Sequence, residues 1–223
     1  MASKGNDRHM KALESPAYMG VHRKDSKYVM KARAGRHSRE RSLPIVVFLK
    51  REGLARTTSD AIKILNDGKV SVDGKRVRDV KYPVGLSDVI TVGEAHYLVG
   101  INSNSRSVFA KAEKPDEMTY KLVRKYIGKG GKLMFGLHDG SVVGGNGEAR
   151  VNDSVRIGTD RKVRAVLRLE KGAKCVVIAG VNVGAEGKVE DIKEGNMHSE
   201  KSVIVASKGG TFETTVSNVM VTG

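Results

Sequence analysis

The stretch Gly68-Lys69-Val70-Ser71-Val72-Asp73-Gly74-Lys75 predicts a β-hairpin, and the first half of the chain is organised around it. Valines alternate with polar residues before the turn, which is the pattern of a half-buried strand. Asp-Gly is the strongest short hairpin signal because both turn positions adopt positive φ. We therefore expect the valines to form a buried face while the lysines remain in solvent.

Two short helices are predicted before this hairpin, and a strand over residues 81–92 is predicted after it. The first helix covers 44–53, with Pro44 in its first turn and Gly53 at its end. The second covers 60–66, where the hydroxyls of the preceding Thr57, Thr58 and Ser59 can cap the free N–H groups. The unit is therefore a small α/β domain.

The remainder of the chain is expected to be β-rich, since short apolar runs alternate with glycine-containing turns. The predicted fold class is α+β and multi-domain. Its parts are a basic N-terminal arm (1–42), a small α/β domain (43–93), a β-rich middle domain (94–169) and a C-terminal small barrel (170–223). The predicted strands are 96–101, 108–112, 133–137, 155–158, 163–169, 175–179, 188–192, 202–206 and 216–221.

The arm carries eleven Lys or Arg residues against four acids, without a sustained apolar period. Such a segment cannot bury enough apolar surface to order itself, so we expect it to order only against a polyanion. Composition alone also allows a disordered solubilising tail.

The whole chain is strongly basic, with a formal net charge of +15 and a sequence pI of about 9.9. Cationic side chains that pair with phosphates release condensed counterions, and this release favours binding to nucleic acid. A basic coat that serves solubility alone is the alternative, although the charge exceeds the roughly 2–8 units that a small domain needs. A membrane surface is disfavoured, because the chain has no Trp and aromatic residues make up 4% of it.

Other functional classes lack the residues they need. Cys175 is the only cysteine, which excludes an intramolecular disulfide or a cysteine-cluster zinc site, and the six histidines show no metal-ligand spacing. The P-loop pattern fails at Gly131-Lys132, and the run His138-Asp139-Gly140 is better explained as a turn than as an acid–base site. The N-terminus lacks a signal peptide and no apolar run could span a membrane. We therefore expect a cytoplasmic protein that is not an enzyme, with no metal, cofactor or small-molecule substrate.

The run 54–92 resembles the small RNA-binding domain first described in bacterial ribosomal protein S-four, through the hairpin and the later Asp88-Val89-Ile90. The run 172–189 resembles a KOW motif, a small SH3-like barrel, although Val183 stands where a basic residue is common. A basic arm, an S-four-type domain, a β-rich middle and a KOW motif in this order resemble the archaeal and eukaryotic small-subunit ribosomal S-four-e family. The chain stops soon after the KOW motif, which favours the archaeal form.

This resemblance implies a structural protein of the small ribosomal subunit that binds ribosomal RNA, contacts neighbouring ribosomal proteins and acts in translation. Two other classes remain open, an RNA-modifying enzyme with an appended S-four-type domain and a free RNA-binding or elongation regulator.

The candidate RNA-binding residues are basic or hydroxyl side chains on the arm and the S-four-type domain. The start of the second helix is a natural phosphate site, and Asp60 is expected to cap that helix. In the KOW motif, the glycines either make a tight turn or bring bare backbone close to RNA. The candidates are Arg23, Lys24, Arg36, Arg39, Arg41, Lys50, Arg51, Arg56, Thr57, Thr58, Lys63, Lys69, Lys75, Arg76 and Lys81, with Gly180, Gly184, Gly187 and Lys188 at the KOW turn.

Overall fold

The hairpin forms where the sequence predicts it, with Asp73 and Gly74 both at positive φ. It belongs to a computed structural model that describes residues 10–113, 117–145, 147–158, 160–196, 199–207 and 209–223. The described residues form two compact units. The first holds those up to Gly100 together with 106–113, and the second holds 101–105 together with those from 117 onward.

Within its described residues, the first unit has two α-helices and nine short strands. A five-stranded sheet has the order β5-β4-β7-β8-β9, and two-stranded pairs are formed by β3 with β6 and by β1 with β2. Turns of 3₁₀ helix cover Ala12–Glu14, Ala17–Met19 and Arg39–Arg41. The elements are β1 Met10–Lys11, β2 Tyr28–Val29, β3 Ser42–Pro44, α1 Ile45–Arg51, α2 Thr58–Asn66, β4 Val70–Val72, β5 Lys75–Arg76, β6 Pro83–Gly85, β7 Val89–Val92, β8 Ala95–Ile101 and β9 Ser107–Ala112.

The core of this unit lies between α1 and the sheet. Five consecutive residues of α1, 45–49, are buried. Phe48 packs edge-on against Tyr97 of β8 and Phe109 of β9, with ring centroids 5.2 and 4.8 Å away, a favourable aromatic geometry. Strands β8 and β9 thus extend the sheet past residue 93, and the division of the chain into four domains stays a prediction.

Most of the basic arm packs on this unit. Met10, Tyr18 and Met19 are almost fully buried, and the Arg51 guanidinium donates a hydrogen bond to the Met19 carbonyl at 3.1 Å. The expectation that the arm cannot order itself without a polyanion is therefore wrong for residues 10–42. The apolar residues that hold it are isolated in the sequence, so no hydrophobic periodicity predicts that they are buried.

A buried carboxylate joins the arm to the unit. Asp88 has no exposed surface, and its Oδ2 lies 2.8 Å from His37 Nε2 and accepts a hydrogen bond from the Gly85 amide at 3.0 Å. Burial raises the pKa of Asp88, and the hydrogen bond with His37 opposes that rise. A Cβ on Gly85 would overlap the His37 ring, so β6 requires glycine here for the imidazole to reach the carboxylate.

Arg36 extends the same network to the hairpin turn. Its Nη2 lies 3.0 Å from Asp88 Oδ1 and 2.6 Å from Asp73 Oδ2. The other oxygen of Asp73 accepts a hydrogen bond from the Val89 amide at 3.0 Å. Burial tends to lower the pKa of Arg36, but the two carboxylates outweigh it and raise that pKa, so the guanidinium stays charged. The network fixes the turn and the arm against each other.

The second unit is entirely β-structure apart from two 3₁₀ turns, Lys129–Gly131 and Val216–Asn218, within the residues described. One sheet has the order β12-β11-β10-β13-β14 and the other β18-β17-β16-β15-β19, all antiparallel where paired. Each sheet has its own apolar cluster. The strands are β10 Glu117–Ile127, β11 Leu133–Leu137, β12 Val142–Gly144, β13 Ser154–Gly158, β14 Val163–Leu167, β15 Lys174–Val177, β16 Glu186–Lys193, β17 Ser202–Ser207, β18 Gly210–Thr215 and β19 Val219–Val221.

Strand β10, the longest, was not predicted from the sequence. Its alternation is broken by a register shift after Leu122 and by the buried Lys121. The Lys121 ammonium donates to the carbonyls of Val216 and Val219 at 2.5 and 2.7 Å. A buried ammonium is tolerated when it is hydrogen-bonded, and here it ties the two sheets of the unit together.

The structure explains the two features of the sequence that could suggest catalysis, the run His138-Asp139-Gly140 and the single cysteine. His138, Asp139 and Gly140 form a turn in which Asp139 Oδ1 accepts hydrogen bonds from the Ser141 amide and hydroxyl. Cys175 is buried, and burial raises the pKa of its thiol to about 11. The thiol is therefore protonated near neutral pH and is a poor nucleophile.

In the described part of the chain, no cluster of His, Cys, Asp or Glu could hold a metal ion, and no helix is long and apolar enough to cross a membrane.

The buried network predicts a large difference between two aspartates. Asp88→Asn should lower the free energy of unfolding of the first unit by about 3–5 kcal/mol, because it removes a buried partner of Arg36 and His37. Asp79→Asn causes the same change in net charge but breaks only the exposed pair with Arg33, and it should cost less than about 1 kcal/mol. Guanidinium denaturation followed by circular dichroism measures both, and equal losses would contradict the role of Asp88.

Candidate RNA-binding surfaces

The start of α2 is closed by a reciprocal cap. Thr57 Oγ1 accepts a hydrogen bond from the Asp60 amide at 3.1 Å, and Asp60 Oδ2 accepts one from the Thr57 amide at 3.0 Å. These bonds with Thr57 lower the pKa of Asp60. The predicted capping role of Asp60 is confirmed, and the exposed threonine is committed to the helix start.

Two cations lie at this helix start. Lys50, the penultimate residue of α1, donates from Nζ to the Thr58 hydroxyl at 2.9 Å, and Arg56 is exposed immediately before the cap. The positive end of the helix dipole adds to their charge. This end of α2 is therefore positively charged, with the cap carboxylate as a partial offset.

A groove of about 700 Å³ opens beside the same helix start, between the arm and α1. Its floor is apolar, and its rim carries cations from both sides. It brings together four of the predicted residues with three arm residues that the sequence did not single out for binding. The predicted residues are Lys50, Arg51, Thr58 and Lys81, and the additional ones are His22, Tyr28 and Lys31. Asp25 is the acidic residue of the lining.

A second group of predicted residues lies at the other end of α2, about 13 Å away along a nine-residue helix. Lys63, Lys69, Lys75 and Arg76 are all exposed. Arg76 donates to the Asp67 carbonyl at 3.0 Å, and Lys69 lies 3.5 Å from the Asp67 carboxylate. The predicted residues of the domain are therefore divided between two ends of one helix.

Two predicted arginines are hydrogen-bonded to other parts of the protein itself. Arg36 pairs with Asp73 and Asp88. Arg51 donates to the hydroxyl and carbonyl of Ser107 at 2.7 and 2.9 Å, in addition to the Met19 carbonyl. Their hydrogen-bonding capacity is largely used in positioning the arm and β9.

The remaining arm candidates lie at the surface. Arg23 and Lys24 are exposed, and Arg23 donates to the Ser15 carbonyl at 3.2 Å. Arg39 and Arg41 are exposed in the 3₁₀ turn that precedes β3. These four side chains can face a phosphate backbone without breaking the buried network.

Two glycines of the KOW run, Gly184 and Gly187, are required by the packing of the protein itself. Gly184 has φ +77°, and a Cβ there would overlap the Asn102 carbonyl. A Cβ on Gly187 would overlap the Ala206 carbonyl oxygen of the neighbouring strand. Gly180 has φ +91° and is exposed, as is Lys188. Of the four predicted turn residues, Gly180 and Lys188 therefore remain accessible to a partner.

The groove residues contributed by the arm could not be found by sequence reasoning. Tyr28 and Lys31 lie in a segment whose charge pattern fits a disordered tail, and only the packing of Met10 and Met19 brings them opposite α1. A tyrosine among basic residues is the one available signal, because aromatic rings and cations are combined in RNA-binding surfaces.

Comparison with known proteins places this geometry in a family. Residues 43–90 match the S4 domain model, the module of α1, α2 and the Asp73-Gly74 hairpin, so the chain is an S4-domain protein. It is 33% identical over 219 residues to the small ribosomal subunit protein eS4 of Methanocella arvoryzae, covering 96% of this chain and 94% of that protein. It is also 33% identical over 230 residues to the eS4 protein of Sulfolobus acidocaldarius, with 96% and 94% covered.

A solved structure agrees with these relatives. The crystal structure of the 30S ribosomal protein S4e from Thermoplasma acidophilum superposes with a TM-score of 0.70 at 27% identity, covering 82% of this chain and 95% of that one. The chain belongs to the small ribosomal subunit protein eS4 family, the S-four-e family that its sequence resembles.

The close approaches of the KOW glycines lead to a stability prediction. Gly184→Ala should lower the stability of the second unit by roughly 2–4 kcal/mol, because left-handed backbone strain adds to overlap with the Asn102 backbone. Gly172→Ala is the matched control, since Gly172 has φ +88° but open space around it, and it should cost only the strain, roughly 1–2 kcal/mol. Thermal unfolding measures the two variants, and equal shifts would argue against the close approach at Gly184.

Proposed function

We propose that this chain is a structural constituent of the small ribosomal subunit, where it binds ribosomal RNA and acts in translation in the cytoplasm. The observation that carries the proposal is the positively charged start of α2 and the groove beside it, on a chain with a net charge of +15. Membership of the eS4 family, whose relatives are named as small-subunit proteins, supports it.

The chemistry of the surface suits RNA. RNA helices are bound through their shape, phosphates and 2′-hydroxyls, and unpaired bases through stacking and edge contacts. The exposed cations of the arm and of both ends of α2 can pair with phosphates along one backbone, while the Thr58 hydroxyl and the groove offer contacts to sugars and unstacked bases. The basic surface therefore serves as the main RNA contact of the first unit.

The C-terminal residues 170–223 act, in this proposal, as a KOW-type SH3-like barrel that contacts RNA or neighbouring ribosomal proteins. Support comes from the five-stranded antiparallel sheet β15–β19 with its own apolar cluster. Gly180 and Lys188 are its accessible turn residues. Residues 94–169 form, in this proposal, the β-rich middle domain of the chain.

An enzymatic role finds no support among the relatives, which carry ribosomal-protein names. The run His138-Asp139-Gly140 forms a turn, and Cys175 is a buried core residue, so both have structural roles. A free regulator is the remaining rival, and it differs from the proposal in where the protein is found rather than in what it binds.

Charge reversal tests the assigned surface. Arg56→Glu with Lys75→Glu should weaken binding to a transcript of archaeal small-subunit ribosomal RNA and reduce the slope of log affinity against log salt by about 2, since each phosphate that loses its cation lowers the slope by roughly one. Lys193→Glu with Lys201→Glu is the control with the same change in net charge, on lysines that already face Glu213 and Glu194. An unchanged slope in the first variant, or equal changes in both, would contradict the assignment.

Sedimentation separates the ribosomal role from a free regulator. In a sucrose gradient of lysate from cells that express the tagged chain at its natural level, the protein should migrate almost entirely with the small subunit. Washing with increasing salt should release it progressively, because phosphate contacts weaken as counterions compete. A pool that remains mostly at the top of the gradient in low salt would overturn the proposal.

A further inference from the structure

The solvent face of strands β10, β11 and β12 carries an unusual set of side chains. In the register of the sheet, Arg124 and Tyr126 of β10 lie opposite Gly136 and Met134 of β11. These in turn lie opposite Val142 and Gly144 of β12. Residues directly opposite one another share a face of the sheet, so these six residues form one surface, which we call the Tyr126 face.

The other side of β11 and β12 packs on the core of the second unit. Phe135 and Val143, one position along from the Tyr126 face, are buried in the apolar cluster. Successive residues of a strand point to opposite sides, so the burial of these two fixes the Tyr126 face toward solvent. Exposure agrees, since 45% of Tyr126 and 42% of Val142 remain accessible.

A solvent-exposed face with apolar residues requires explanation, because antiparallel sheets ordinarily place polar residues on the face that is exposed to solvent. Here the exposed ring of Tyr126 is accompanied by Met134 and by two glycines. A Cβ at Gly144 would meet no atom within 4 Å, so packing does not dictate its small size. Exposed apolar patches with a polar rim mark binding surfaces, and this one is centred on a single exposed aromatic ring.

The charges around the face select the kind of partner. From Tyr120 to His138 the chain has five Lys or Arg residues and no acid. Arg124 lies on the face, while Lys129 and Lys132 are exposed in the turn that joins β10 to β11. A polyanion with flat apolar groups fits this combination, since single-stranded nucleic acid binds where cations follow its backbone and aromatic rings stack on its bases.

We propose that the Tyr126 face is a stacking platform for an unpaired base of RNA, with Arg124, Lys129 and Lys132 pairing with the flanking phosphates. The proposal rests on the proposed function, because the RNA is that of the small subunit. It adds a contact in the second unit that is separate from the S4 domain. The missing side chain at Gly136 and the open space at Gly144 leave room for the base to lie flat on the sheet.

Three substitutions at one position test the platform in the full-length chain. Binding is measured against a transcript of archaeal small-subunit ribosomal RNA. Tyr126→Phe keeps the ring and should bind like the parent chain. Tyr126→Ala and Tyr126→Leu should both weaken binding by roughly 5- to 100-fold, the range for loss of one stacked base. Val151→Ala, at a residue of similar exposure outside the face, is the control and should have no effect.

The leucine variant distinguishes RNA stacking from docking of a protein. Leucine retains apolar contact but not the π-face, so parental binding by Tyr126→Leu together with weak binding by Tyr126→Ala would overturn the platform in favour of general apolar contact. Parental binding by all three would overturn it as well. Circular dichroism and thermal unfolding confirm that each variant is folded, which is expected because the ring is half exposed.

Ultraviolet cross-linking gives a second readout that needs no variant. Irradiation of the complex should leave a nucleotide adduct on the peptide that contains Tyr126, and adducts confined to the first unit would overturn the proposal.

Failure of the platform is distinguishable from failure of the proposed function. Suppose that the parent chain binds the transcript and that Arg56→Glu with Lys75→Glu reduces the salt dependence of binding. If the Tyr126 variants then bind with unchanged affinity, only the platform is overturned. If the parent chain does not bind the transcript, both proposals fall.

Discussion

The buried carboxylate of Asp88 holds the first unit in one arrangement. It accepts hydrogen bonds from the strand β6 backbone and from Arg36, and it contacts His37 of the arm. A buried charge is stable only when it is paired and hydrogen-bonded, so the arm, β6 and the hairpin turn must meet at this point. The network anchors Arg36 and His37 of the arm, while the packing of Met10 and Met19 places the earlier arm residues beside α1, where they line the groove.

The second unit uses a cation in the corresponding way. Lys121 reaches from β10 to the carbonyls of Val216 and Val219, and the Ser154 hydroxyl accepts a hydrogen bond from the Val221 amide at 2.9 Å. Both contacts join two sheets whose apolar clusters are separate. Strand β10 continues beyond the core, and its Tyr126 is exposed to solvent.

The net charge of the chain is therefore divided between two tasks. Arg36, Arg51 and Lys121 make hydrogen bonds within the protein that position neighbouring elements. The exposed lysines and arginines lie on an ordered framework, so they are available to phosphates without a large ordering cost on binding. An interaction that is driven by counterion release gains specificity when its cations are fixed in space in this way.

The sequence by itself determined the features that depend on neighbours a few residues away. These are the hairpin turn, both helices with the Thr57–Asp60 cap, most of the strands, the buried Cys175 and the S4 and KOW resemblances. The tertiary structure alone decided which cations are buried, that the arm packs on the S4 domain, where β10 runs and which face Tyr126 occupies. The reason is physical, because the partner that makes a buried charge stable lies 37 residues away for Arg36 and 95 for Lys121. Local periodicity carries no information about contacts at that separation.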